Sequence, residues 1–374
     1  MSEHRVLFVG LGDLGSRIFD LLVRVPGQFS FLVGGRNLDA LQQRTNLSSF
    51  AAAQLGYYPH VACTFMDLWN REQTAEIITQ FRPDILFCAA TLQRTEAISE
   101  LPEPVSRQLA SAQLGPRLPL HLTLIYHLMQ AVRMTGLTIT VLNAIYPDVV
   151  GPVLHQVGLA PTTGIGDLAN NIPALRQSMA LHFKKPIEQV DLRLVMARYV
   201  SYGLTRQALD DVPSSLTALL DGEERPHTLD LKTVSAPLLT SLKRSGGKAG
   251  LLMTATSATS VFDGIVNNTG MITHAPGPNG LPGGYPIRVN AQGVEVALPS
   301  HLSLSSAIAI NEAGLHLDGI EKIEHDGTVY FAEKNMTIFK KVLGYECQQM
   351  RLSDVGDWAK ELQAKYASYV RKMQ

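Results

Sequence analysis

Apolar and polar positions alternate in two rhythms along the first 143 residues. Short apolar runs fall at Val6–Val9, Phe29–Val33, Val61–Leu68, Ile85–Thr91 and Leu137–Asn143, and each reads as a strand. Between them, apolar residues recur at helical spacing from about Gly15 to Val25, from Leu38, from Thr74 to Phe81 and from Leu120 to Met134. Pro26-Gly27 separates the first helix from the second strand. Strands that alternate with helices predict a doubly wound α/β domain on a parallel sheet, a Rossmann-type domain spanning residues 1–148. The stretch Leu92–Pro119 is too long for a plain connection, so it is expected to hold helical content and border a site.

After Asn143 the rhythm changes. Val190–Ala197 has one polar face and reads as a strand, as do Thr228–Thr233, Pro286–Asn290 and Gly293–Leu298. Helices are expected at Ile172–Phe183, Thr254–Asn267 and Ser303–Gly314, the last capped by Ser303. Asp326-Gly327 is a turn signal ahead of Thr328–Phe331. This mixture predicts an α+β second domain with a mixed or antiparallel sheet over residues 149–353. A final amphipathic helix, 354–372, is expected to pack back on the first domain.

The run Val6-Leu7-Phe8-Val9-Gly10-Leu11-Gly12-Asp13-Leu14-Gly15 organises the rest. Gly10 allows a sharp exit from the strand, Gly12 lets backbone approach a pyrophosphate, and Gly15 lets the helix pack close to the strand. Free N–H groups at this helix start, where Asp13 and Leu14 stand, favour a phosphate. Gly34-Gly35-Arg36-Asn37 ends the second strand, where the adenosine ribose is read. An acid at that tip would select NAD; Arg36 suits a 2′-phosphate, so NADP is expected over NAD. Asp67 stands at the third strand's tip, placed for the adenine or as a helix cap. Ala89 and Ala90 leave room for the nucleotide, and Thr91 offers a hydroxyl near the nicotinamide ribose. Asn143, Tyr146 and Asp148 follow the carboxyl end of the fifth strand, the edge at which open α/β sheets bind ligands.

Composition narrows the function class. Of 374 residues, 45% are hydrophobic and 17% charged, which supports large buried cores in two domains. Lys plus Arg (32) nearly balances Asp plus Glu (33), so there is no basic footprint for nucleic acid or an anionic membrane. The low charge points to surface covered in an oligomer, a homodimer in expectation. Cys63, Cys88 and Cys347 form no paired framework, which suits a reducing cytoplasm. No apolar run is read as a membrane span, and the start, Met1-Ser2-Glu3-His4-Arg5, has no signal-peptide pattern.

The other unusual stretch, His274–Arg288, carries four prolines and four glycines. Such alternation suggests defined turns, and the loop is expected to line the substrate cleft. His274 and Tyr285 are candidate proton-moving groups, and Arg288 can hold a carboxylate through two parallel hydrogen bonds. Arg198, Tyr199 and Tyr202 form a polar cluster read as surface or interface. Tyr330 and Lys334 match Y-x-x-x-K, but they lie far from the nucleotide domain. No G-x-x-x-x-G-K-[ST], no H-E-x-x-H and no metal-spaced Cys/His cluster occurs, so no metal is expected. Catalysis would then rest on the cofactor, with the protein holding nicotinamide C4 against an electrophilic carbon and supplying one proton.

The glycine turn, Gly34–Asn37, Asp67 and Cys88-Ala89-Ala90-Thr91 together resemble the saccharopine-dehydrogenase-like family over about Arg5–Asp148. That resemblance implies a substrate-binding, often dimerising second domain and NADP-dependent hydride transfer at a C=N or C=O bond of a small polar, amino-acid-like substrate. The alternative is a non-catalytic NAD(P)-binding regulator or assembly subunit. The polar groups at Asn143–Asp148 and His274–Arg288 favour the enzyme.

Overall fold

The structure is a computed structural model describing residues 3–25, 29–93, 95–207, 209–226 and 229–372. The expected Pro26-Gly27 break therefore lies outside the described residues, as does Thr228. The opening apolar run forms β1 (His4–Val9), buried over its last four residues. There follow α1 (Asp13–Leu22), β2 (Phe29–Gly35), α2 (Leu38–Ala53), β3 (His60–Phe65), α3 (Arg71–Phe81) and β4 (Ile85–Cys88). Then come α4 (Glu103–Ser111), α5 (Leu118–Thr135), β5 (Thr140–Asn143), α6 (Pro147–His155) and β6 (Thr163–Gly164). The strands make one parallel sheet in the order β3-β2-β1-β4-β5-β6, with a switch of direction between β1 and β4. That crevice, beyond the strands' carboxyl ends, is where such a sheet binds a ligand. The expected boundary at 148 is too early, because β6 joins this sheet from beyond it.

The second half contributes α7 (Ile172–Phe183), β7 (Val190–Met196), α8 (Arg198–Gly203), β8 (Ser214–Leu220), β9 (Glu223–Pro226) and α9 (Leu231–Ser235). It continues through α10 (Gly247–Val266), β10 (Met271–Pro276), β11 (Gly284–Asn290), β12 (Gly293–Val296) and α11 (Leu304–Leu317). Its sheet is antiparallel, in the order β10-β11-β7-β8-β9, with β12 on β11. The strand expected at Thr228–Thr233 is instead the start of α9, because the Asp230 carboxylate accepts the Thr233 N–H at 2.6 Å and caps a helix.

The chain closes with β13 (Ile320–Ile323), β14 (Val329–Phe331), α12 (Glu333–Leu343), β15 (Gln349–Met350) and α13 (Val355–Arg371). Helix α13 returns to the first domain. The Thr123 hydroxyl donates to the Val355 carbonyl, Gln363 to Leu92 at 3.0 Å, and Tyr366 to Ala97 at 2.5 Å. Phe339, Tyr345 and Leu362 thereby join the core beneath α5.

Helix α10 corrects a further expectation. Among the described residues it is the one helix long and apolar enough, by length and composition, to cross a membrane, with mean hydropathy 1.3. Its apolar side is used inside the protein. Phe262 packs 5.9 Å from Phe29 and 6.2 Å from Phe87, so α10 is built into the core around Phe8, Phe19 and Phe31. That shared core ties the two halves together.

At the first turn the three glycines do different work. Gly10 has φ +99°, and a Cβ there would lie 2.7 Å from the Ala89–Ala90 peptide. A Cβ on Gly15 would lie 1.9 Å from the Gly10 carbonyl oxygen, whereas one on Gly12 would meet nothing within 4 Å. Gly15→Ala should therefore lower stability by about 3 kcal/mol. Gly12→Ala should unfold at nearly the wild-type midpoint. Urea denaturation of the two variants checks this contrast, and equal midpoints would refute it.

Candidate functional site

The glycine turn provides a cradle of the right shape for a pyrophosphate. Gly12 and Asp13 are exposed, and α1 has no side-chain cap, so its first N–H groups are available to an anion. The Asp13 carboxylate pairs instead with Lys248 of α10 at 3.2 Å, and Leu14 packs against the core. Arg36 is exposed at the tip of β2 and, among the described residues, makes no hydrogen bond or ion pair. Asn37 caps α2, its side chain accepting from the Ala40 N–H at 3.0 Å. Asp67 accepts from the Trp69 N–H at 3.2 Å and shapes the turn after β3. Ala89 and Ala90 lie directly against Gly10.

Two expected contacts are taken up by the protein itself. The Asn143 amide donates to the Ile145 carbonyl and accepts the Ile145 N–H, both at 2.9 Å, so it builds a turn and offers nothing to a cofactor. The Thr91 hydroxyl is engaged with the Leu120 carbonyl at 3.1 Å and His121 Nδ1 at 3.0 Å.

The turn made by Asn143 delivers Tyr146 at φ 40°, ψ 53°, a left-handed conformation for a bulky residue. From there its hydroxyl donates to Asp318 Oδ2 at 2.8 Å. Asp318, fully buried, also receives the Leu114 N–H at 3.4 Å and faces Arg198 Nη1 at 3.4 Å. Arg198 is itself 12% exposed, and the surrounding acids, Asp318 first, outweigh its burial and raise its affinity for the proton. The Asp148 carboxylate accepts the Arg198 backbone N–H at 2.8 Å through Oδ1. Its Oδ2 is buried and finds no donor; the neighbouring group is the Asp167 carboxyl. Two buried carboxyl groups set side by side resist ionising together, which favours a proton on one of them. Burial raises the pKa of both, and for Asp148 the Asp167 charge adds to the rise. Asp167 has φ 48°, a further sign of a side chain held in place by its surroundings.

Above this network opens a cavity of about 510 Å³. Its inner wall carries Arg117, Asp167 and Arg198; its outer wall carries Arg206, Arg244 and the first turn of α10. The segment Leu92–Pro119 borders it, through Ile98, Arg107, Leu114 and Arg117.

Sheet, crevice and second domain together decide the fold. It is the fold of malate and lactate dehydrogenases. A lactate dehydrogenase from a Medee basin deep-sea metagenome library superposes with TM-score 0.54 at 13% identity, over 91% of this chain and 100% of that one. The lactate dehydrogenase of Eimeria maxima, solved with NADH and oxamate, gives 0.55 at 10% identity, over 84% and 92%. The malate dehydrogenase of Aeropyrum pernix gives 0.52 at 14%, over 84% and 97%. No family model and no curated protein matches the chain. What is shared is thus the Rossmann-type fold these dehydrogenases have, and the narrower saccharopine-dehydrogenase-like resemblance has no support in these neighbours.

None of the expected catalytic and substrate-binding residues lines the cavity itself: Tyr146 and Asp148 belong to the buried network beneath it, and the other three lie on the second domain's sheet. His274 is buried on β10 and its Nε2 accepts the Leu194 N–H at 3.1 Å; burial pushes its pKa down to about 3, so it stays a neutral acceptor. Tyr285 is fully buried in the core, where burial raises its pKa and its hydroxyl faces Asn311. Arg288 is exposed on the outer side of β11 and donates to the Gly270 carbonyl at 2.8 Å. The Pro/Gly segment joining them is a rigid corner. Gly277 donates to Gly283 at 2.7 Å, Asn279 to Thr162 at 2.9 Å and Gly283 to the Asp148 carbonyl at 3.2 Å, so the corner braces the site from behind.

Sequence reasoning missed Arg117, His121, Asp167, Arg206, Arg244 and Asp318, and placed Arg198 on the surface. The available signal was a charge stranded in apolar surroundings, as in Pro116-Arg117-Leu118-Pro119-Leu120-His121-Leu122. Cys88 and Cys347 are buried, with burial pushing both thiols up to about 12, so neither is a nucleophile.

Arg198→Met should cost about 3–5 kcal/mol by leaving Asp318 buried without its cation. Asp318 would then hold its proton more tightly folded than unfolded, so native protein binds the extra proton. The loss should be full at neutral pH and shrink as pH falls toward about 4. Denaturation at two pH values checks this, and a pH-independent loss would contradict the assignment.

Proposed function

We propose that the protein is an NADP-dependent oxidoreductase moving hydride between the cofactor and a carbonyl or imine carbon of a small anionic substrate. The observation that carries this reading is the cavity lined by Arg198, Arg117 and Asp167, with buried Asp148 beside Asp167, beyond the parallel strands' carboxyl ends. A nicotinamide dinucleotide supplies the hydride. Gly10, Gly12 and the first N–H groups of α1 would hold its pyrophosphate, and Arg36 the 2′-phosphate. The Eimeria neighbour carries NADH, which favours NAD; Arg36 with no acid at the strand tip favours NADP. Arg198 and Arg117 bind a substrate carboxylate and turn the adjacent carbon toward the cofactor. Asp167 gives its proton to the substrate oxygen or nitrogen during reduction and takes it back during oxidation.

An amino-acid-like substrate fits this reading, because its carboxylate sits beside the carbon that is reduced. A regulator that only sensed the dinucleotide would have no use for a pair of carboxyl groups whose affinity for protons is raised. A panel of 2-oxo acids against uncharged aldehydes, followed by loss of NADPH absorbance, tests the proposal. Turnover confined to the acids is expected, and no turnover with any of them would sink it.

Asp167→Asn should lower turnover by roughly 10²–10⁴. The wild-type reduction rate should fall as pH rises through the pair's raised pKa, because the donor loses its proton; the variant's residual rate should lack that step. For the cofactor, Arg36→Ala should weaken NADP binding by roughly tenfold or more and leave NAD binding unchanged. Calorimetric titration of both nucleotides measures this, and equal loss for the two would remove Arg36 from the site.

A further inference from the structure

The outer wall of the cavity holds positive charge that the protein does not neutralise. The Arg206 guanidinium lies 3.3 Å over the Tyr202 ring, and Arg198 lies 5.2 Å over the same ring. Arg206 is exposed at the mouth and donates to the Tyr202 carbonyl at 2.9 Å. Arg244 is half-buried and donates to Asn171 Oδ1 at 2.9 Å, while its Nε is buried with no partner. Among the described residues neither Arg206 nor Arg244 pairs with a carboxylate, and the one acid lining the cavity, Asp167, forms no ion pair with either of them. Burial lowers the pKa of both, for Arg206 against an opposing pull from Tyr202 and with repulsion from Arg198, and for Arg244 with repulsion from Arg206. Like charges gathered in a cavity without a counter-ion await an anion.

We propose that this outer half of the cavity binds a phosphate monoester carried by the substrate, a reading that rests on the oxidoreductase assignment and narrows its substrate class. The donors favour phosphate over a second carboxylate. Two guanidiniums approach from the turn after α8 and the segment before α10. Beside them α10 begins Gly246-Gly247-Lys248, with no side-chain cap, and a Cβ on either glycine would meet nothing within 4 Å. Lys248 turns away to Asp13, leaving the backbone as the facing surface. Donors converging from several directions suit a tetrahedral group with three acceptor oxygens better than a planar carboxylate. The cavity volume, about 510 Å³, also leaves room for a carbon skeleton between the Arg198 end and this one. The dinucleotide's own phosphates have a separate cradle at Gly12 and Arg36, neither of which lines the cavity.

The test is binding of inorganic phosphate by calorimetry, at constant ionic strength, to wild type, Arg36→Ala and Arg206→Gln/Arg244→Gln. Wild type and Arg36→Ala should bind phosphate alike, and the double variant about tenfold or more weaker. Arg206→Gln alone, at an exposed position, should already weaken binding and serves if the double variant does not fold. Undiminished affinity in these variants, or succinate binding as tightly as phosphate to wild type, would overturn the proposal. Phosphate binding needs no hydride transfer, so its loss on Arg206→Gln would stand even if every 2-oxo acid failed as a substrate.

Discussion

A carboxylate with no exposure to water must be met donor for donor, and the site is arranged around that demand at Asp318. The Tyr146 hydroxyl, the Leu114 N–H and Arg198 converge on its two oxygens, and its backbone carbonyl accepts the Gly115 N–H at 2.8 Å. These partners come from the end of β5, the turn before α5 and the start of α8. One buried charge thus fixes three chain segments that are remote in sequence. The Arg117 turn is held by Gly115, whose Cβ would strike the Asp318 carbonyl at 2.7 Å. Neighbouring Asp148 adds the Arg198 backbone to the same assembly. The cavity above is pre-organised because its floor cannot shift without stranding a charge.

Polar groups divide between the two ends of the crevice in a way that suits the proposed reaction. The dinucleotide end works chiefly through glycine geometry and helix N–H groups, with Arg36 at its far tip. The substrate end is dense with guanidinium and carboxyl groups. Lys248 pairing with Asp13 links the two ends across α1 and α10. The division suits hydride transfer: backbone geometry seats the cofactor and charged groups orient the other reactant.

The first domain was legible in the sequence because its signals are local. A buried parallel strand is a continuous apolar run, and Gly10 and Gly15 answer steric demands within a few residues of one another. The cap on α11 by Ser303 is local too, its hydroxyl accepting the Ser306 N–H at 3.1 Å. The substrate end was not legible because it is assembled by tertiary contacts. Tyr146 and Asp318 lie 172 residues apart and Arg198 and Asp318 lie 120 apart. Composition alone could not tell a site arginine from a surface one. The same limit misdirected attention to His274, Tyr285 and Arg288. Proline and glycine do mark defined turns there, but the turns brace α6 and β6 and leave the cavity to other segments. Strands β8 and β9 went unread because Ser214-Ser215-Leu216-Thr217-Ala218 alternates only weakly.

The central claim is that one crevice brings the glycine turn's cofactor and the arginine-lined cavity face to face. A crystal structure with NADPH bound tests it most directly. The account predicts the pyrophosphate on Gly12 and the nicotinamide ring passing Ala90 to open onto Asp167 and Arg198. A ring directed away from these residues, with protein between it and the cavity, would contradict it.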